Sequence, residues 1–166
     1  MKVFILGLLT FSSLTVFGNT DFPDLKDLKV VLYSDLTPKD AKYFCKKKSK
    51  IDPEICLMTR KKAVKYCKAM RLRLPSARDF AKMAAGYGAY VGKKACGSSS
   101  TCQRIRPSND EEFYYNSGGA DVRGLLREYW FHTSSLREKG ANFHFHSHNG
   151  YMGSSSDKNP GIVACI

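Results

Sequence analysis

Six cysteines, at positions 45, 56, 67, 96, 102 and 165, constrain the fold of this chain more than any other feature. In an exported chain an even set of cysteines reads as disulfides rather than free thiols or zinc ligands. Six cysteines admit many pairings, but proximity favours Cys45 with Cys56 and Cys96 with Cys102, two short loops, which leaves Cys67 for Cys165. That last bridge joins an early helix to the strand-like segment Ile162-Val163-Ala164-Cys165 and closes a loop of nearly the whole domain. The chain-entropy argument gives a loop of that size the largest stabilisation, roughly 4 to 5 kcal/mol.

Export is itself read from residues 1–18, which carry one charge, Lys2, then an apolar run from Val3 to Leu9 and a Ser/Thr-rich stretch ending Val16-Phe17-Gly18. This pattern is that of a secretory signal, too short to span a bilayer, with a mature chain expected from Asn19. No cysteine at the junction indicates a lipid anchor, and no later apolar stretch is long enough to cross a membrane. The protein is thus expected to be secreted, periplasmic or on the outer cell surface. Residues 19–166 are enough for one domain with a real core, in which 19–58 reads as an N-terminal extension carrying a first strand and helix.

Charge is unevenly placed. Without Lys2 the chain has 26 Lys+Arg against 15 Asp+Glu, a net +11. Residues 42 to 73 hold twelve of the basic residues and only two acids, Asp52 and Glu54, so this segment alone carries +10. A field so local attracts polyanions: acidic polysaccharide, lipopolysaccharide, phospholipid head groups or released nucleic acid.

Val30-Val31-Leu32-Tyr33 reads as a first strand that pairs with the last one. Thr37-Pro38-Lys39-Asp40 opens a helix expected to run to about Lys48. Thr59 is expected to cap a second helix through about Met70, with Ala63, Val64, Cys67 and Met70 inward and Lys61, Lys65 and Lys68 forming a basic stripe. Pro75-Ser76 starts a third, with Asp79 at the capping-box position and Ala77, Phe80, Ala81 and Ala84 inward. Residues 86–128 read as a long irregular region, with the small Cys96 to Cys102 loop and one strand-like patch, Glu112-Phe113-Tyr114-Tyr115. From Trp130 onward short strands alternate with turns, including the hairpin signal Asn149-Gly150.

Several segments together resemble a known family: Ala63-Val64-Lys65-Tyr66-Cys67, Leu72-Arg73-Leu74-Pro75-Ser76-Ala77-Arg78-Asp79-Phe80, Glu112-Phe113-Tyr114-Tyr115-Asn116, Trp130 with Thr133-Ser134-Ser135, Ala141 with Phe143, and Val163-Ala164-Cys165. The pattern is similar to bacterial exported domains of the C-type-lectin-like fold, in the branch of formylglycine-generating (sulfatase-modifying) proteins and the C-terminal domains of collagen-like adhesins. The resemblance implies an α+β fold, two to three helices on a small twisted mostly antiparallel sheet, with a disulfide from the first helix of the fold to its last strand. It also implies departures. The cysteine pair that formylglycine-generating enzymes use for copper is lacking near the C-terminus, where only Cys165 lies. The calcium-holding Glu-Pro-Asn, Gln-Pro-Asp and Trp-Asn-Asp triplets of sugar-binding C-type lectins do not occur. Ala164 and His132 replace an arginine and an aromatic of the family pattern.

His144, His146 and His148 alternate with Phe143 and Phe145, so on a strand the imidazoles share one face. Such spacing suits a metal, but no Asp, Glu or Cys nearby completes the shell, and a solvent-facing strand is the plainer expectation. Trp130 is expected in the core. Tyr43, Phe44 and Tyr66 are expected to pack rather than stack on sugars. Asn109-Asp110-Glu111-Glu112 reads as a polar loop, and His132 with Ser134 lacks an orienting acid and an oxyanion donor for hydrolase chemistry.

The expectation is an exported, non-catalytic binding module without cofactor, gripping an anionic glycan or other polyanion with Lys61, Lys65, Lys68, Lys62 and Arg71. Collagen-like adhesins with related domains bind sulfated polysaccharide, which supports the ligand class by analogy. The alternatives are a degenerate formylglycine-generating-type or histidine-metal-dependent enzyme, and a protein-binding subunit of a surface fibre that makes contact through the 86–128 loops.

Overall fold

The computed structural model describes residues 28–49, 52–97, 101–120, 122 and 130–166, so the signal segment and residues 19–27 lie outside the described residues. Helix starts follow local chemistry. Thr37 caps α1 (Pro38–Phe44), its hydroxyl accepting from the Asp40 amide with proline at the first helical position. Ser76 caps α3 (Ala77–Ala85) in a full capping box with Asp79. α2 (Arg60–Ala69) follows Thr59, but that hydroxyl makes no capping bond, and the Arg60 amide instead donates to the Asp157 carbonyl at 3.3 Å.

α1 stops at Phe44, short of the expected Lys48. Cys45 is extended and bonded to Cys56, and the lysines beyond it form β2 (Lys47–Lys48), paired antiparallel with β3 (Cys56–Met58). A staple and a hairpin here override the helix preference of lysine.

β1 (Lys29–Val30) pairs with β11 (Ala164–Cys165), so the first described strand meets the last. The main sheet has six strands, β2 and β3 followed by β10 (Gly161–Ile162), β7 (Trp130–Glu138), β8 (Ala141–His146) and β9 (Met152–Ser156) in that spatial order. Its pairings are antiparallel except the β10–β7 contact at Ile162 and Phe131. A second sheet lies in the 86–128 region: β4 (Tyr90–Gly92), β6 (Phe113–Asn116) and β5 (Gln103–Ile105), with β6 central. Only β6 was expected from the residue pattern. β4 and β5 have three residues each and no apolar alternation, and they become strands by pairing with β6.

Two clusters fill the interior. The larger lies between α3 and the sheets, where Phe80 stacks on Phe145 at 4.9 Å between ring centres and packs on Phe131 at 5.9 Å. Ala77, Phe80, Ala81 and Ala84 point inward, as expected. The smaller lies beneath α2 and gathers Met58, Ala63, Tyr66, Cys67, Val163 and Cys165. Here Val64 and Met70 are 38% and 56% exposed, contrary to the expected apolar face; Tyr66 takes the inward position instead. The three disulfides are Cys45–Cys56, Cys67–Cys165 and Cys96–Cys102, and none of the six cysteines is free. This is the chemistry of an oxidising compartment. Among the described residues no helix is long and apolar enough to cross a membrane.

The Leu74-Pro75-Ser76 turn and the segment from Trp130 to Ser135 touch: the Ser134 amide donates to the Pro75 carbonyl at 2.7 Å, and the Ala77 amide donates to the Ser135 hydroxyl at 2.9 Å. That contact seats α3 on β7 and fixes the position of Trp130 at the start of the strand.

Candidate functional site

The expected basic residues divide into two groups. Lys61, Lys65, Lys68 and Arg71 are exposed on successive turns of α2 and its end, and no ion pair among the described residues involves them. Lys68 and Arg71 sit at the helix C-terminus, where the macrodipole favours cations. Lys62 differs: its ammonium donates to the Tyr43 carbonyl and lies 5.2 Å from the Tyr43 ring centre. Arg60 and Arg73 are built into the fold. Arg60 Nη2 donates to the Ser134 carbonyl at 2.5 Å, and burial lowers the pKa of its guanidinium against the opposing pull of Asp157. Arg73 forks onto Asp79 at 2.5 and 3.2 Å. Burial works to raise the Asp79 carboxyl, but the bonds from Arg73 and Ser76 outweigh it and hold the pKa below the ordinary value.

Arg71 has φ 59°, the one left-handed residue other than glycine among those described. Its amide donates to Lys68 and the Leu72 amide donates to Cys67, which closes α2 in a Schellman motif. Glycine suits that position best, and a β-carbon there costs about 1 kcal/mol. The chain places a cation where local geometry asks for glycine, and it does so at the end of the basic row.

Of the aromatics near this face, Tyr43 is 52% exposed, while Tyr66 is buried and Phe44 packs edge-on against it at 5.3 Å. Packing accounts for Phe44 and Tyr66, as expected, and Tyr43 flanks the lysines.

The histidine strand differs from expectation. β8 carries His144 and His146, whereas His148 lies in the turn beyond it. His144 is 7% exposed rather than solvent-facing, because the sheet face opposite Phe143 and Phe145 is covered as well. It opposes His132 across β7 and β8, with ring centres 4.8 Å apart. His132 Nε2 lies 2.8 Å from the Met58 carbonyl, which can only accept, so Nε2 carries the proton and Nδ1 accepts from the Asn142 amide at 3.3 Å. The Asn142 carbonyl oxygen in turn accepts from His144 Nε2 at 3.3 Å, and the Ser155 hydroxyl lies 2.9 Å from the same nitrogen. Both imidazoles are held neutral. Burial lowers each pKa to about 4, and the neighbouring His132 adds to the effect on His144. Among the described residues no group of three or more His, Cys, Asp or Glu side chains converges as a metal site.

His132 and Ser134 make no bond to each other among those described: His132 holds Met58 and Asn142, and the Ser134 backbone is taken by Pro75, Arg60 and Asn109. The polar loop is likewise engaged in structure. Asn109 accepts from the Leu136 amide at 2.7 Å, Glu111 pairs with Arg78, and Glu112 pairs with Arg104.

Trp130 is the clearest departure. It is 43% exposed, not in the core, and lines a hollow of about 360 Å³ with His144, Tyr151, Ser155, Asn159 and Pro160. Tyr151, 45% exposed, meets it edge-on at 5.9 Å, and His146 packs on it at 4.6 Å. No sequence rule separates a buried strand tryptophan from an exposed one; the nearest signal was Gly153, whose lack of a side chain leaves room for the indole.

No known protein family, curated protein or solved structure matches this chain.

Proposed function

We propose that the protein is an exported, non-catalytic binding module for an anionic glycan or a related extracellular polyanion, built on a C-type-lectin-like scaffold. The observation that carries the reading is the row Lys61, Lys65, Lys68 and Arg71 along α2, exposed and outside every ion pair among the described residues. Lysines that serve only solubility are interspersed with acids, whereas this face gathers its charge on one helix and extends it to a strained arginine. A row of this kind acts at long range and tolerates many polyanions. The scaffold reading draws on the sequence resemblance and is supported by the helix-to-last-strand disulfide and by the contact between the Leu-Pro-Ser turn and β7.

The test is binding of the oxidised protein to immobilised sulfated, carboxylated and neutral glycans over a salt series. Binding to the acidic glycans should fall steeply with salt. Lys61→Glu/Lys65→Glu/Lys68→Glu should weaken it by about tenfold or more, each tenfold being about 1.4 kcal/mol, without lowering the melting temperature. Unaltered binding in this variant would remove α2 from the site.

A further inference from the structure

The hollow beside Trp130 does not end at β9. A second hollow, of about 390 Å³, shares Tyr151, Gly153 and Ser154 with it and continues to Arg104, Arg106 and Arg137. From these two hollows we infer that the β9 edge is a second, shape-defined site for an acidic oligosaccharide, with a sugar ring on the Trp130 side and an oxyanion of the same chain on Arg106 and Arg137. The inference rests on the anionic-glycan reading for its ligand class, but not on α2 for its location.

Three observations point the same way. The aromatic surface is positioned before any ligand arrives. A β-carbon at Gly153 would lie 3.0 Å from Tyr151 Cε1 and 3.2 Å from Trp130 Cζ3, so glycine allows both rings to close over the strand. His146 packs on the indole from another side. A ring held in this way loses little freedom on binding.

The groups around the rings suit a hydroxyl-rich ligand. Ser154, Ser155 and Asn159 line the hollow with hydroxyls and an amide, and His144 stands behind Ser155 as a neutral hydrogen-bonding group. An aromatic face with several small donors and acceptors matches the apolar C–H face and hydroxyl rim of a pyranose. A peptide added to β9 would instead need apolar pockets for alternate side chains.

The charge is unbalanced on the far side of the strand. Arg104 occupies both oxygens of Glu112, at 3.1 and 2.5 Å, and Arg106 lies 3.6 Å from the same carboxylate. Arg137 donates to the Ser154 hydroxyl at 2.8 Å and enters no ion pair among the described residues. Arg104 and Arg106 thus share the Glu112 carboxylate while Arg137 has no acidic partner among the described residues, and planar guanidinium forks suit a carboxylate or a sulfate.

Trp130 is the only tryptophan in the chain, so its fluorescence reports this site alone. The experiment titrates oxidised protein with length-matched uronate, sulfated and neutral oligosaccharides and with a single-stranded oligonucleotide at fixed salt. Emission is followed in the wild type, Arg106→Glu/Arg137→Glu, Gly153→Val and the α2 triple reversal. A saturable emission change with an acidic oligosaccharide is expected, weakened at least tenfold by Arg106→Glu/Arg137→Glu and by Gly153→Val. The uronate and sulfated arms identify which oxyanion is preferred, and either preference supports the site. The change should persist in the α2 reversal. Binding to acidic glycans without any emission change would overturn the site while leaving α2 in place. An emission change lost in the α2 reversal would overturn the site as a location independent of α2. An equal response to the neutral sugar or to the oligonucleotide would overturn the assigned ligand class. Since Gly153→Val is placed to disturb packing, the arginine variant, confined to exposed side chains, keeps the test decisive if the valine variant misfolds.

Discussion

Beneath α2 the interior is a small cluster around Tyr66 sewn by two disulfides; beneath β7, β8 and β9 it consists of packed phenylalanines and a neutral histidine network. The surfaces differ in the same sense. α2 displays a row of like charges, whereas β9 displays shaped aromatic hollows with a few arginines. Like charges on one helix repel each other in the folded state, and covalent closure beneath them offsets that repulsion without requiring paired acids. A shaped hollow needs its walls fixed to within a fraction of an ångström, which close packing supplies.

Breaking the staple should separate the halves most strongly. Cys67→Ala/Cys165→Ala removes a bridge spanning 98 residues and should lower stability by roughly 4 to 5 kcal/mol. Hydrogen exchange should quicken in α2 far more than in β7 and β8. Equal acceleration in both would show that the two clusters are one cooperative unit and dissolve the contrast.

Acid should act on the other half. His132 and His144 have folded pKa values of about 4 against an ordinary 6.5, so the unfolded chain binds more protons between those values. Their contribution is fully present above pH 6.5 and is lost as pH falls towards 4, at up to about 3 kcal/mol for each histidine. The melting temperature should drop over this window, and His144→Asn should flatten the slope. A melting temperature level from pH 6.5 to 4 in the wild type would contradict the buried neutral pair.

The two halves are joined through an ion pair. Arg73, just past α2, forks onto Asp79 in the first turn of α3, and Asp79 also completes the capping box. Asp79→Ala should cost about 1 to 2 kcal/mol and should loosen α2 and α3 together when followed by hydrogen exchange. The smallest effect has the opposite sign. Arg71→Gly should raise stability by about 0.5 to 1 kcal/mol while weakening polyanion binding; a loss of stability would mean that the arginine side chain supports the fold.

The contrast also explains what could be read from the residues. The disulfide framework, the capped starts of α1 and α3, the pairing of first and last strands and the exposed lysines of α2 depend on local chemistry and spacing. β4 and β5 depend on a partner eight or more residues away. The position of Trp130 depends on Gly153, across two strand pairings. His144 was read by alternation, which assigns one face to the core and the other to water, and the rule fails on an inner strand with both faces covered. Val64 and Met70 of α2 face outward because Tyr66, amphipathic and one position off the apolar stripe, fills the groove beside Phe44.

β10 has two residues, yet it lies between β3 and β7 and joins the hairpin that follows α1 to the three long strands. It is also far along the chain from β3 and α2. Until Gly161 and Ile162 are in place, β3 has no neighbour on one side, His132 has no sheet to close over it, and Cys67 has no partner in reach. The sheet therefore closes only through contacts between distant parts of the chain, and long-range closure of this kind is slow. Two residues thus act as a keystone: both neighbouring strands and the reach of Cys67 to Cys165 depend on a segment too short to hold a structure of its own.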